Sequence, residues 1–181
     1  MLFLPLLLQL LVCVVATTPV RRDGESITAA LETISKQLVT VNNTLNTFNG
    51  GLAGTKTALQ IQGQVVTLQK DIDGATATSS KSAALNDEES ASVAVSINSL
   101  THDIFDVLDN ITRKKPQFDK AILGIASASF LVKSDLQHLQ KATDEFGAAL
   151  TEKLVKSIKD VAPLLISSID FRFQRALKVY A

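Results

Sequence analysis

From Ile27 the large apolar side chains recur at Ile27, Leu31, Ile34, Leu38, Val41, Leu45 and Phe48. The spacings alternate four and three, which places all seven on one stripe of an α-helix. Asn49-Gly50-Gly51 predicts its end, because glycine takes the left-handed backbone of a helix C-terminus without steric cost. A second stripe, Ala58, Ile61, Val65, Leu68 and Ile72, predicts a helix from about Leu52 to Ile72 that Asp73-Gly74 closes. The small, Ser/Thr-rich ATATSSKSAAL that follows reads as a connection or a weakly helical extension.

Asn86-Asp87-Glu88-Glu89 has the form of a helix start. Asn86 caps, Glu89 three residues on reaches back, and the acidic first turn suits the positive end of the helix. Val93, Ile97, Leu100, Ile104, Val107 and Ile111 form the stripe of this third helix, widened by Phe105 and Leu108. Arg113-Lys114-Lys115 sits where a helix favours cations, and Pro116 stops the run. Beyond it, Phe118, Ile122, Ile125, Ser129, Val132, Leu136, Leu139, Thr143, Phe146 and Leu150 continue the four-three alternation. One helix to Val161 would hold about 45 residues and measure ~65 Å, unless Gly147 divides it. Pro163 marks the first turn of a last helix bearing Leu165, Ile169, Phe173, Ala176 and Tyr180. No segment alternates with period two. The prediction is an all-α fold, a single bundle of about five amphipathic helices.

The N-terminus changes the setting. Leu2 to Ala16 is an apolar run of 15 residues, short of the roughly 20 that span a bilayer. It ends in Val14-Val15-Ala16 and turns polar at once, the form of a secretory signal peptide. Residues 1–16 are therefore read as the signal and 17–22 as a short propeptide ending at the dibasic Arg21-Arg22, or else a charged arm. Residues 23–181 are the working domain. Removal through Arg22 leaves 159 residues with 16 basic against 18 acidic side chains. That balance gives no electrostatic reason to expect nucleic acid. The only cysteine, Cys13, leaves with the signal, so no disulfide staples the domain. An aliphatic core must hold it, since the chain has no tryptophan.

Catalytic constellations are missing from the pattern. His102 and His138 are the only histidines, and no nucleophile elbow, paired-histidine motif or glycine-rich phosphate loop accompanies them. Asp103, Asp106 and Asp109 read as the wet face of the third helix. No enzyme activity, metal or cofactor is expected. Asn42-Asn43-Thr44 and Asn110-Ile111-Thr112 are acceptor sequences for N-linked glycan at Asn42 and Asn110.

One irregularity interrupts the fourth stripe. GIASAS, residues 124–129, puts small side chains in a seam otherwise filled by Phe, Ile, Val and Leu. Small residues suit a close helix approach, and equally an internal apolar tunnel. A tunnel of aliphatic side chains with a hydroxyl or two suits a fatty acid or similar lipid, at about 0.8 kcal/mol per buried CH₂. The predicted lining is Ile34, Leu38, Leu68, Leu100, Ile104, Phe105, Leu108, Ile125, Val132, Leu136 and Ile169, with Ser129 at the head group.

The stretch ITRKKPQFDKAILGIASASFLVKSDLQHLQKATDEFGAAL, with its Lys-Lys-x-x-Phe-Asp-Lys-Ala opening, resembles the fungal hydrophobic surface-binding protein family, also called the cell wall galactomannoprotein family. The VRRD entry to the first helix and the Pro-containing last helix fit the same pattern, over about residues 23–181. The resemblance implies a secreted, non-enzymatic helical bundle whose relatives enclose fatty acids or adsorb to hydrophobic surfaces, in some cases helping a secreted hydrolase reach them. Others reside at the cell wall. RALKVYA at the C-terminus carries no Ser/Thr-rich stalk or hydrophobic tail, so free secretion of a monomer, without a GPI anchor, is expected. Two alternatives stay open beside lipid enclosure. One is adsorption through seams exposed when the bundle opens; the other is a structural cell-wall or coiled-coil role.

Overall fold

A computed structural model of the chain describes residues 23–123 and 126–181. The predicted signal (1–16), the segment 17–22 and Ile125 lie outside the described residues. The fold is the all-α bundle that the periodicity predicts. Its five long helices are α1 (Asp23–Thr47), α2 (Thr55–Lys81), α3 (Asp87–Arg113), α5 (Ala128–Thr151) and α7 (Ala162–Val179). Two short helices, α4 (Lys115–Lys120) and α6 (Lys156–Lys159), join them.

The long helices close a ring. α1 packs on α2 and α3, α2 on α5, α5 on α7, and α7 back on α3. Cross-helix bonds fix the directions. Ser35 donates to Asp103 and Asn110 to Asn42, so α1 and α3 run parallel. The Lys153 ammonium reaches the Ser80 carbonyl, which places the C-terminal ends of α2 and α5 together. The "upper" end of the ring holds this junction, the start of α1 and α6. The "lower" end holds the α1–α2 turn and α4.

The seam of α1 forms as predicted, with Ile27, Leu31, Ile34, Leu38, Val41, Leu45 and Phe48 all buried. The cap of α3 forms too. The Asn86 side chain accepts from the Glu89 amide at 2.9 Å, and the Glu89 carboxylate accepts from the Asn86 amide at 3.0 Å. At the lower end Gly50 turns with φ 73°, and a Cβ there would lie 2.4 Å from the Gln117 carbonyl oxygen. Only glycine fits. Phe48, Phe118 and Tyr180 plug this end, with ring centroids 4.6 Å and 6.2 Å apart.

Two expectations about element ends are corrected. α2 does not close at Asp73-Gly74 but runs to Lys81. Ala75 and Ser79 continue its buried stripe, and the Thr76 and Thr78 hydroxyls donate to carbonyls one turn back, at 2.9 Å each. Small residues there let the helix pack closely rather than end. The fourth helix is not continuous either. α4 ends at Lys120, and an antiparallel pair, β1 (Ile122–Leu123) and β2 (Ala126–Ser127), separates it from α5. The Ala128 amide closes this loop on the Ala121 carbonyl at 2.9 Å. Glycine and β-branched residues across 122–127 are poor helix formers, and Phe118 is anchored in the lower plug. Gly147, by contrast, does not divide α5.

A two-chambered apolar cavity as candidate binding site

The ring encloses two chambers. The inner one, about 60 Å³, lies at the centre and takes side chains from all five long helices, among them Leu38, Leu68, Val107, Leu136 and Phe173. The outer one, about 270 Å³, lies toward the upper end between α3, α5, α6 and α7. Leu100, Ile104, Thr143 and Phe146 line both. Phe146, buried from the α5 side, stands in this shared wall. The outer volume is close to the lower bound of about 300 Å³ for ligand pockets. Apolar cavities can accept apolar guests.

Local packing explains why the outer chamber exists. On α3, Ala94 and Thr101 leave room beside Ile97 and Ile104, which are only half-buried because they face the void. On α5, Gly147 lets Ile166 of α7 come so close that a Cβ would sit 3.3 Å from its terminal methyl. Leu154 and Ile158, flanking and within α6, complete the upper wall. Val161 also lines it and is 56% exposed, marking the mouth.

Polar groups are few. The hydroxyls of Thr101, Thr143 and Thr151 are each spent on a carbonyl one turn back, at 2.8, 2.7 and 2.6 Å. Among the described residues, the one ionisable lining residue is Asp144, exposed at the rim. Partial burial, and secondarily the like charge of Asp170 on α7, raise its carboxyl above the ordinary value. The arrangement suits an extended apolar guest held by area alone, with no built ion pair.

The structure brings most of the predicted lining together. Ile34, Leu38, Leu68, Leu100, Ile104, Leu108 and Leu136 face the inner chamber, and Leu100, Ile104 and Ile169 the outer. Val132 lines only a third void of about 30 Å³ between α2 and α5. Phe105 lines none of these; its ring lies under the Arg172 guanidinium, 4.5 Å from the centroid. Ser129 is the clearest correction. Its hydroxyl donates to Asp119 at 2.7 Å, beside the β1–β2 loop and away from both chambers. With the bond from Lys115, it holds the Asp119 carboxyl below the usual range. Asn110 is corrected as a glycan acceptor. It is buried, and its amide nitrogen donates to the carboxamide oxygens of Asn42 at 2.7 Å and Asn46 at 2.8 Å. That nitrogen has no room for a sugar. Asn42 stays half-buried at the edge of this cluster. Sequence reasoning missed most of the outer chamber. Its small residues, Ala94 and Gly147, lie off the large-residue stripes, and α6 is too short to show a period.

The geometry has counterparts among known proteins. The sequence profile described as hydrophobic surface binding protein A matches residues 24–152. The chain belongs to the hydrophobic surface binding protein A family. A solved protein of similar shape is Afmp4p in complex with palmitic acid, 34% identical, with a TM-score of 0.80 over 87% of this chain and 99% of that one. Ligand-binding domain 1 of the Penicillium marneffei MP1 protein, complexed with arachidonic acids, shares the fold at 16% identity and a TM-score of 0.79, over 88% of this chain and 99% of that one. Cell wall mannoprotein 1 of Aspergillus flavus is 24% identical over 165 residues, 91% of this chain. The chain spans only 57% of that relative's length.

Proposed function

We propose that this protein is a secreted lipid carrier that encloses an acyl chain in the two apolar chambers. The observation that carries the reading is the continuous aliphatic wall. The chambers share four side chains, and among the described residues the only ionisable one on either lies at the rim. A chain entering at Val161 and passing Phe146 would gain about 0.8 kcal/mol for each CH₂ it buries. The palmitic acid held by Afmp4p, at 34% identity over the same fold, supports a fatty-acid-like guest. The cell-wall name of the A. flavus relative supports an extracellular or wall-associated site of action. Neither the family description nor these relatives' names points to catalysis.

The experiment is native mass spectrometry of protein secreted by a eukaryotic host, before and after solvent extraction. A bound mass of a few hundred daltons, recovered as lipid, is expected. A ligand-free mass that persists when lipid is offered overturns the reading.

Adsorption to hydrophobic surfaces, with or without recruitment of a secreted hydrolase, is the second reading, favoured by the family description. It requires the ring to open. A disulfide replacing the Ser35–Asp103 contact would tie α1 to α3. Lost adsorption in the cross-linked protein supports opening; retained adsorption overturns it.

A further inference from the structure

We propose that the lower end of the ring is a docking face for an anionic phospholipid bilayer. The proposal is independent of what the chambers hold. The near-balanced charge of residues 23–181 conceals how its signs are distributed.

At the lower end cations prevail. Lys56 stands in the first turn of α2, Arg113 closes α3, and Lys178 lies in the last turn of α7. Lys114, Lys115 and Lys120 belong to α4 and its junction with α3. Among the described residues, Asp119 is the one carboxylate side chain set among them, and Lys115 neutralises it at 2.5 Å. Asp109, a turn further in on α3, is paired with Arg172 at 2.6 Å. Lys114 turns its ammonium to the Asn46 and Phe48 carbonyls, at 3.2 and 2.8 Å, so no opposite charge cancels it. Among the described residues, no carboxylate pairs with Lys56, Arg113, Lys120 or Lys178. The upper end has the opposite balance. Asp23, Glu25, Asp87, Glu88 and Glu89 open α1 and α3, and with Glu152 and Asp160 they outnumber Lys81, Lys153, Lys156 and Lys159.

Helix ends alone do not account for this. Cations are favoured where α3 and α7 finish, but α2 and α5 begin at the lower end, and neither has an acidic residue in its first turn. Lys56 stands where the dipole of α2 disfavours a cation.

Apolar side chains project from the same end. Leu52, in the turn between α1 and α2, is 84% exposed, and Phe130, in the first turn of α5, is 69% exposed. Both flank α4. The Leu52 turn abuts Gln117 through Gly50, and Phe130 follows Ser129, whose hydroxyl bonds Asp119. Large apolar tips set among cations match the headgroup region of a bilayer, where the cations meet anionic lipid and the tips reach the acyl boundary. A nucleic acid would engage the cations but leave Leu52 in water. Docked in this way, the chamber mouth at the upper end faces away from the membrane.

The test is co-sedimentation of protein secreted by a eukaryotic host with vesicles of phosphatidylcholine, alone or with one-quarter phosphatidylserine. Wild type is expected to bind the mixed vesicles, to be released by salt, and to leave phosphatidylcholine alone. Arg113→Ser, Lys120→Ser and Lys178→Ser together should weaken binding at least tenfold, at about fivefold per cation near such a surface. Leu52→Ser with Phe130→Ser should also weaken it, with the salt dependence kept. Lys156→Ser with Lys159→Ser, near the mouth, should bind like wild type. All of these residues are exposed, so circular dichroism should not change. Equal binding to both vesicles, binding to neither, or losses confined to the Lys156 and Lys159 variant overturn the proposal. Binding to duplex DNA in place of vesicles, retained in full by the Leu52 and Phe130 variant, overturns it in favour of a nucleic-acid face.

Discussion

The phenol of Tyr180, at the C-terminus of α7, donates to the carbonyl of Ile111 on α3 at 2.8 Å, and the ring is buried against Phe118. One hydrogen bond thus ties the last helix to the third at the plugged end of the ring. Burial, and then the negative charge of Asp119, push the phenol well above its usual range. The folded state therefore holds this proton more tightly than the unfolded state. The stability it confers is complete below about pH 10, the unfolded value, and declines as pH rises beyond that. Chemical denaturation should show a steep loss of stability above pH 10 in wild type. Tyr180→Phe should remove that component and cost about 0.5–1.5 kcal/mol at neutral pH, the worth of one hydrogen bond, since the Ile111 carbonyl keeps the Lys114 amide at 3.2 Å. Equal high-pH slopes in the two proteins would assign the loss to other groups.

Asn110 should behave as a structural residue. Asn110→Ala leaves the Asn42 and Asn46 oxygens without their donor between α1 and α3. A loss of about 1–3 kcal/mol is expected in denaturant titration. Peptide mapping of protein from a glycosylating host should find residue 110 unmodified, with any N-linked sugar at Asn42.

Lipid uptake should follow the outer chamber rather than the small-residue cluster before α5. Ala94→Phe fills that chamber from α3 and should reduce uptake at least fivefold, with helicity retained. Ser129→Ala removes only the bond to Asp119, so uptake should match wild type. A radiolabelled fatty-acid binding assay on the two variants separates these outcomes.

Asp135 offers a stability test remote from the cavity mouth. Burial raises its carboxyl, against the bond that Gln62 donates at 3.2 Å and the nearby His138. A raised folded value means a contribution fully present below about pH 4 and lost as pH rises through the folded value. Asp135→Asn should therefore increase the melting temperature at pH 7, and the gain should shrink toward pH 4. A gain independent of pH would point to packing instead.

How much of this was legible depended on what kind of feature each residue makes. The seam of α1, the Asn86–Glu89 box and the Pro163 start of α7 are local, and spacing alone carried them. The break before α5 was hidden because 122, 125 and 129 keep the four-three spacing across a loop, so a pattern of sizes mimicked a helix. Ser129 was misplaced for that reason. The chambers depend on what faces what. Ala94 and Gly147 look unremarkable in one dimension, and they leave room only because α3, α5 and α7 meet around them. Leu38 and Leu68 were recognisable as interior, but whether interior side chains touch or stand apart is decided by closure of the ring.

That closure has a consequence for when the cavity comes into being. Phe173 walls the inner chamber and Ile169 the outer, and both sit on α7, the last of the five long helices in chain order. While α1, α2, α3 and α5 are already available to pair, the ring still lacks one stave, and its apolar faces are open along their length. The chambers are therefore complete only once α7 has docked on α3 and α5. Until then the four-helix assembly is a trough rather than a container, open along one side to any apolar molecule that it meets.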